Sequence, residues 1–339
     1  LQLMILVTGA TGLLGTHVLA ELSKRGLPIR ALKRPASNLK LVEDIFKFYF
    51  GEEGKKRFEK IEWVEGDILD IVSLEKAIQG CNIVYHCAAL VSFRRRDFKK
   101  LTKVNKEGTT NVVNICLDAK IDHLCYVSST AAIGRNATKT TYDETDKWVN
   151  APENSGYAVT KYGAENEVWR GVEEGLNAVI VNPSVIFGPG NWNESSLSIF
   201  KVVKKGLRFY TSGTNAFVDA RDVASVMAEL SEKRVFNDRF LVIGENLKYK
   251  DLFDKIAKAF GVKGPSILAK PWMAAIVWRL EGLLAFFFGK KQNITRETAR
   301  SSMTTSQYSN EKVKQKINFE FHKMDDTIAN AVSYFSKHY

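Results

Sequence analysis

Tyr157 and Lys161 stand four residues apart in Tyr157-Ala158-Val159-Thr160-Lys161, a spacing that puts both side chains on one face of a helix. An ammonium beside a phenol favours the phenolate and draws its pKa down from about 10 towards the working range. The pair therefore predicts a tyrosine able to give and take a proton. Three hydroxyls, Ser128-Ser129-Thr130, close the apolar run His123-Leu124-Cys125-Tyr126-Val127, and a hydroxyl at a strand end would hold a substrate oxygen against the tyrosine. Alone, Tyr-x-x-x-Lys also describes an exposed helical pair, so its weight depends on the rest of the chain.

Near the start, Leu3-Met4-Ile5-Leu6-Val7 runs into Thr8-Gly9-Ala10-Thr11-Gly12-Leu13-Leu14-Gly15, and Leu14, Val18 and Leu22 then recur at helical intervals. A strand, a tight turn and a helix N-terminus in succession form a phosphate cradle. Gly9, Gly12 and Gly15 let the backbone turn sharply, admit a pyrophosphate where a Cβ would stand, and let helix and strand pack closely. The spacing departs by one residue from the common Gly-x-Gly-x-x-Gly fingerprint. At the end of the second strand, where a carboxylate would select NAD, the chain has Lys33-Arg34, which suits a 2′-phosphate. Asp67 is placed to accept from an adenine amino group, and Ala88-Ala89 leave room for a cofactor across the strand ends. His86 reads as a satisfied strand-end histidine and is left out of the chemistry.

The elements that must position these residues alternate. Strands are predicted at 3–7, 29–32, 61–64, 82–89, 123–127 and 178–182, with helices from Leu13 to Arg25, Leu41 to Phe50, about Lys100 to Ala119, and through Tyr157. A charged loop is expected through Lys60, and Asp70 or Ser73 is expected to cap the helix that carries Leu74, Ala77 and Ile78. The fold class is α/β: a Rossmann-type, doubly wound parallel sheet with a smaller mixed α/β substrate lobe. The dinucleotide-binding domain is expected over 1–182, with a returning segment at about 215–245, and the lobe over 183–339. In the lobe, helices are predicted over Ser196 to Lys204, Thr295 to Ser302, Asn310 to Lys316 and Asp325 to Ser336, with short strands near Leu207 to Tyr210 and Phe240 to Ile243.

Composition is that of an ordinary globular chain: 339 residues, 45% hydrophobic and 26% charged, with 49 basic against 38 acidic residues for a net charge of +11. No zinc-finger, RNA-binding or helix-turn-helix pattern accompanies the excess, so a solvated face is expected and nucleic acid is not. Cys81, Cys87, Cys116 and Cys125 form no Cys-x-x-Cys pair and read as reduced thiols of a cytoplasmic protein. Five histidines without a His-x-x-x-His pattern give no metal site. The strand-like start lacks a basic n-region and a cleavage site, so it does not read as a signal peptide. The apolar stretch 272–288 is interrupted by Arg279, Glu281 and Gly282 and is shorter than the roughly 20 residues a span needs. It reads as a lobe helix over an apolar substrate, with peripheral membrane contact as the alternative.

Together these motifs resemble the extended short-chain dehydrogenase/reductase superfamily, of the NAD-dependent epimerase/dehydratase type, from Leu3 to about residue 245. That superfamily's turn is Thr-Gly-x-x-Gly-x-x-Gly, which matches Thr8 to Gly15 and removes the spacing objection. Gly66-Asp67 matches its adenine-contact aspartate, and Tyr157 and Lys161 match its proton-transfer and ribose-binding pair. Ser129 is assigned as the third catalytic residue because it lies five residues before Gly134, the family's spacing, with Ser128 and Thr130 as alternatives. The resemblance implies a cofactor shell of Gly9, Thr11, Gly12, Leu13, Leu14 and Gly15, then Lys33, Arg34, Asp67, Ile68, Ala88, Ala89 and Asn105, and finally Tyr157, Lys161, Pro183, Ser184 and Val185.

Asn182-Pro183-Ser184 and Phe217-Val218-Asp219-Ala220-Arg221-Asp222 are similar to dihydroflavonol-4-reductase-like and 3β-hydroxysteroid-dehydrogenase-like members. Ala131-Ala132 after Thr130 disfavours a sugar 4,6-dehydratase. The expectation is an NADP(H)-dependent oxidoreductase, with NAD(H) second, acting on a ketone or secondary alcohol of a small apolar molecule. A homodimer is the assembly to test. The rivals are an NAD-dependent nucleotide-sugar epimerase and a non-enzymatic NADP-sensing module.

Overall fold

The computed structural model describes residues 3–134, 139–151, 154–270, 272, 273, 278 and 296–339. Its frame is one seven-stranded sheet: β1 (Ile5–Thr8), β2 (Ile29–Lys33), β3 (Glu62–Glu65), β4 (Ile83–His86), β5 (His123–Val127), β7 (Ala178–Pro183) and β11 (Asp238–Val242). Every pairing in it is parallel, and the spatial order is β11-β7-β5-β4-β1-β2-β3. The order reverses between β1 and β4, so their C-terminal ends open the crevice in which such sheets take ligands. Outside this sheet, β8 (Val185–Phe187), β10 (Thr214–Asp219) and β12 (Glu245–Lys248) form a second, mixed sheet. Two short parallel pairs complete the strands: β6 (Thr141–Tyr142) with β14 (Gln307–Tyr308), and β9 (Phe209–Tyr210) with β13 (Ile267–Leu268).

The unalternating apolar runs are explained by burial on both faces. Ile5, Val7, Val179 and Val181 point to one side, where they meet Val18 and Leu22 of α1 (Leu13–Lys24), Phe46 of α2 (Leu39–Phe50), and Val223 and Met227 of the later helix Ala220–Glu232. Leu6, Val84, Leu124 and Ile180 point to the other. The loop expected through Lys60 instead contains α3 (Glu53–Glu59), whose Gly54 lies too close to the Phe46 backbone for any Cβ. Asp70 caps α4 (Ile71–Ile78), accepting from the Ser73 N–H at 3.4 Å. The long helix after β4 is a composite: α5 (Phe98–Leu101), a π-helical turn over Thr102–Glu107, and α6 (Gly108–Asp118). Such turns favour functional segments, and this one carries Asn105.

Next come α7 (Gly156–Glu173), α8 (Ser198–Lys204), α9 (Ala220–Glu232) and α10 (Tyr249–Phe260). The strand predicted near Phe240 lies in the segment 215–245 expected to return to the dinucleotide-binding half, and as β11 it pairs with β7 in the main sheet, Phe240 opposite Val181. A separate core of Phe187, Phe200, Phe217, Leu252, Ile328 and Phe335 holds the second sheet to α8, α10 and the last helix, Met324–His338. The helices Arg296–Ser301 and Glu311–Ile317 fall within a residue of their predicted positions. Of the apolar stretch 272–288 only 272, 273 and 278 are among the described residues, so the lid and membrane alternatives lie outside them. Among the described residues no helix is long and apolar enough to cross a membrane.

Candidate active site

Beside the crevice, Gly9 has a φ of +68°, and a Cβ there would stand 2.5 Å from the Ala88 nitrogen. A Cβ on Gly15 would come within 2.1 Å of the Gly9 carbonyl oxygen. Both positions thus exclude any side chain, the first through conformation and contact, the second through contact alone. Gly12 accepts from Thr16 at 2.9 Å and caps α1 without a side-chain hydrogen bond, which leaves the positive end of the helix facing the crevice. Leu13 and Leu14 form its first turn, and Thr11 Oγ1 reaches Ser37 Oγ at 3.5 Å. Ser37 Oγ also accepts from the Arg34 N–H at 3.1 Å, so the end of β2 is held beside the turn.

The two basic residues there differ. Lys33 Nζ pairs with Glu65 Oε1 on β3 at 2.6 Å, whereas Arg34 is exposed. Lys33 is therefore engaged in a cross-strand ion pair. Asp67 Oδ1 accepts from the Leu69 N–H at 3.0 Å and stays half-buried at the end of β3. Ile68 is buried in the core against Gly108, and its carbonyl accepts from Asn111 at 3.0 Å. Asn105 is 1% exposed: its amide bonds the Leu90 N–H and carbonyl and Thr160 Oγ1, at 2.7, 3.0 and 3.1 Å. It fixes the loop after β4 to α7 and has little left to offer a ligand.

Tyr157 opens α7, whose cap is Ser155 Oγ accepting from the Ala158 N–H at 3.0 Å. The phenol is half-buried and its pKa is raised by that burial, with a hydrogen bond to the Ser129 side chain pulling the other way. This overturns the expected lysine effect. Lys161 Nζ points instead to the Tyr126 hydroxyl and the Val127 carbonyl, each at 2.8 Å. Burial pushes its ammonium down to about 7, while Glu165 and Cys87 oppose the shift.

The three hydroxyls are separated by the fold. Ser128 is buried and donates to Glu165 Oε2 at 2.6 Å, and Thr130 is buried in a tight turn. Ser129 caps that turn, accepting from the Ala131 N–H at 3.1 Å, and is the member that meets Tyr157. Across from them Phe93 is 38% exposed and stands edge-on to the Tyr157 ring, with centroids 5.8 Å apart. At the end of β7 come Pro183, Ser184 and Val185; Ser184 Oγ and Asn182 Oδ1 are buried without a partner among the described residues.

His86 bridges Thr8 Oγ1 and Thr109 Oγ1 at 2.7 and 3.0 Å, with burial lowering its pKa to about 3, so it is a neutral structural link. Among the described residues no cluster of three or more His, Cys, Asp or Glu could hold a metal. Phe93, Tyr126, Glu165 and Arg239 were not singled out from the sequence. Glu165 alone carried a signal, sitting four residues beyond Lys161 on the same helical face.

A parallel sheet with a glycine turn at its switch point and a Ser–Tyr–Lys cluster at the same edge defines a dinucleotide-dependent enzyme of the extended short-chain dehydrogenase/reductase class. The chain belongs to the NAD dependent epimerase/dehydratase family, whose sequence model matches residues 5–244. It is 27% identical over 342 residues to a Synechocystis sp. protein provisionally named dihydroflavonol 4-reductase, covering 98% of this chain and 94% of the relative. Cinnamoyl-CoA reductase 1 of Petunia hybrida is 28% identical over 268 residues, 76% of this chain and 77% of its own. The crystal structure of gox2253 superposes with a TM-score of 0.81 at 30% identity, covering 100% of this chain and 99% of that one.

Proposed function

We propose that the chain is an NADP(H)-dependent reductase that interconverts a ketone and a secondary alcohol on a small, apolar molecule. The observation that carries this reading is Tyr157, a half-buried phenol with Ser129 as its partner and Lys161 one turn behind it. Burial raises the phenol pKa, so at neutral pH it is protonated, the form a carbonyl reduction needs. The names of the dihydroflavonol and cinnamoyl-CoA reductases to which the chain is similar support a reductase. The exposed Arg34 beside the glycine turn supports a 2′-phosphate.

The residues present fit a dinucleotide. Its pyrophosphate would lie on the Gly9–Gly15 turn, where a Cβ has no room, and its carboxamide would meet the unpartnered Ser184 Oγ and Asn182 Oδ1. Bound there, the nicotinamide supplies or accepts the hydride at its C4. Tyr157 Oη exchanges a proton with the substrate oxygen, and Ser129 Oγ, already accepting from Ala131, turns its hydrogen towards the same oxygen. Lys161 uses two of its three N–H bonds on Tyr126 and Val127, and the third would reach the ribose hydroxyls. Phe93 gives the substrate an aromatic wall.

The test is NADPH oxidation by the purified protein over a panel of aromatic and aliphatic ketones. Tyr157→Phe is expected to lower kcat/KM by about a thousandfold while the NADPH Kd, read by fluorescence titration, changes less than about twofold. Undiminished turnover in that variant rejects the role of Tyr157. Protein that purifies with NAD and interconverts UDP-sugars without consuming NADPH would be an epimerase instead.

A further inference from the structure

Beneath Tyr157 and Lys161 lies a carboxylate that the steps above leave unused. Glu165 follows Lys161 by one helical turn on α7 and is only 2% exposed. Its Oε2 accepts from Ser128 Oγ at 2.6 Å and from Asn182 Nδ2 at 2.8 Å, and its Oε1 pairs with Arg239 Nη1 at 3.1 Å. The Asn182 amide donates a second time, to the Ser129 carbonyl at 3.1 Å. Arg239 in turn holds the carbonyls of Glu144 and Asp146 through Nη2, at 2.6 and 3.0 Å. Glu165 thus joins α7 to the ends of β5 and β7 and to β11, and Arg239 carries the network on to the loop at 144–146.

Packing does not call for an acid at this place. A buried carboxylate is costly to desolvate, and apolar residues of similar volume often replace such ion pairs without loss. What the charge does is electrostatic. The groups facing Lys161 are Tyr126 and the Val127 carbonyl from β5, His86 and Cys87 from the end of β4, and Tyr157 and Glu165 on its own helix. His86 is neutral, and burial keeps the Tyr126, Tyr157 and Cys87 protons on. Glu165 is the carboxylate of that set.

We propose that Glu165 is the positioning residue of this site: it holds the Ser128–Ser129 strand end against α7 and is the counter-charge of Lys161. Glu165 opposes the burial that lowers the Lys161 ammonium to about 7, so its removal would lower that ammonium further. The share of cation that faces the ribose would fall with it. This inference rests on the cofactor seat of the reading above and not on the identity of the substrate.

Glu165→Gln keeps the shape and can still accept from Ser128 and Asn182, but it removes the charge. In lysine-¹³C-labelled protein without cofactor, the Lys161 ε-carbon resonance, assigned with Lys161→Arg, reports the titration directly. Its midpoint is expected to fall by at least about one pH unit in Glu165→Gln, and NADPH affinity at pH 8 to weaken by about tenfold while approaching wild type at pH 6. Glu165→Asp keeps the charge one methylene further away, so its midpoint should lie between the other two. If Glu165→Gln does not fold, the drop in Glu165→Asp decides.

A purely structural carboxylate would lower the thermal midpoint and leave the Lys161 titration where it is in both variants, and that result overturns the proposal. The titration needs no turnover. Protein that reduces no ketone rejects the reductase reading while the Lys161 result stands or falls separately.

Discussion

Burial drives the Lys161 ammonium from its ordinary 10.5 down to about 7, and that displacement bears on stability as well as chemistry. Between those two values the unfolded chain holds a proton that the folded chain lacks, so stability rises with pH across the window. Conversely, it falls as pH drops from 10.5 towards 7, where the folded protein must carry a buried cation. The lysine is thus a stability cost at neutral pH, at a place where, in the proposed reading, its charge would face the ribose. Lys161→Met is expected to raise the thermal midpoint of the cofactor-free protein by about 5 °C at pH 7, with the gain shrinking by pH 10. Calorimetry at the two pH values checks this, and a gain independent of pH would contradict it. The neighbouring phenol shows how direction matters: desolvation raises the Tyr157 pKa where the four-residue spacing suggests a fall, and the Lys161 ammonium is turned towards Tyr126.

At the scale of elements, the glycine turn and the end of β2 act as one unit. Thr11 and the Arg34 N–H meet on Ser37 Oγ, at 3.5 and 3.1 Å, so the basic end of the strand is fixed beside the glycine turn. With Lys33 drawn to Glu65, Arg34 is the exposed basic residue at this edge, and in the proposed reading it would select the cofactor. A charge-assisted contact to a 2′-phosphate predicts that Arg34→Ala weakens NADPH binding by about tenfold and leaves NADH binding unchanged. Paired fluorescence titrations measure it. Equal loss for both nucleotides would remove the case for NADP.

Across the whole molecule, the C-terminal segment is tied back onto the dinucleotide half by polar contacts as well as by the aromatic core. Tyr49 Oη lies 2.9 Å from His17 Nε2 and accepts from Asn330 at 3.2 Å, linking α1, α2 and the last helix. Asp222 on α9 is buried and accepts from both the backbone and the ring of His322. The carboxylate holds the His322 pKa above 6.5, and burial raises that of Asp222. A raised histidine pKa contributes stability that is full below 6.5 and lost as pH rises through the folded value. His322→Ala should therefore lower the thermal midpoint clearly at pH 6 and much less at pH 9. Because the His322 side chain is 43% exposed, solvent screening keeps the effect modest. A deficit that grows with pH would refute the pairing.

The sequence by itself determined the parallel sheet, since unalternating runs such as Met4 to Val7 and Ala178 to Val181 make sense only when both faces are covered. It also determined the glycine turn and the Tyr157, Lys161 spacing, because local geometry reads directly from chain order. It did not reveal α3, whose charged residues mask a helix packed through Gly54. Tertiary structure separated Ser129 from the alternatives Ser128 and Thr130, and it alone decided that Lys33 pairs with Glu65, that Asn105 braces a loop, and that Glu165 ties α7 to the ends of β5 and β7 and to β11. The physical reason is common to all four. Charge and hydrogen-bond partners are set by distances between segments tens of residues apart, and pKa values follow from burial, neither of which is written in the spacing of residues along one helix or strand.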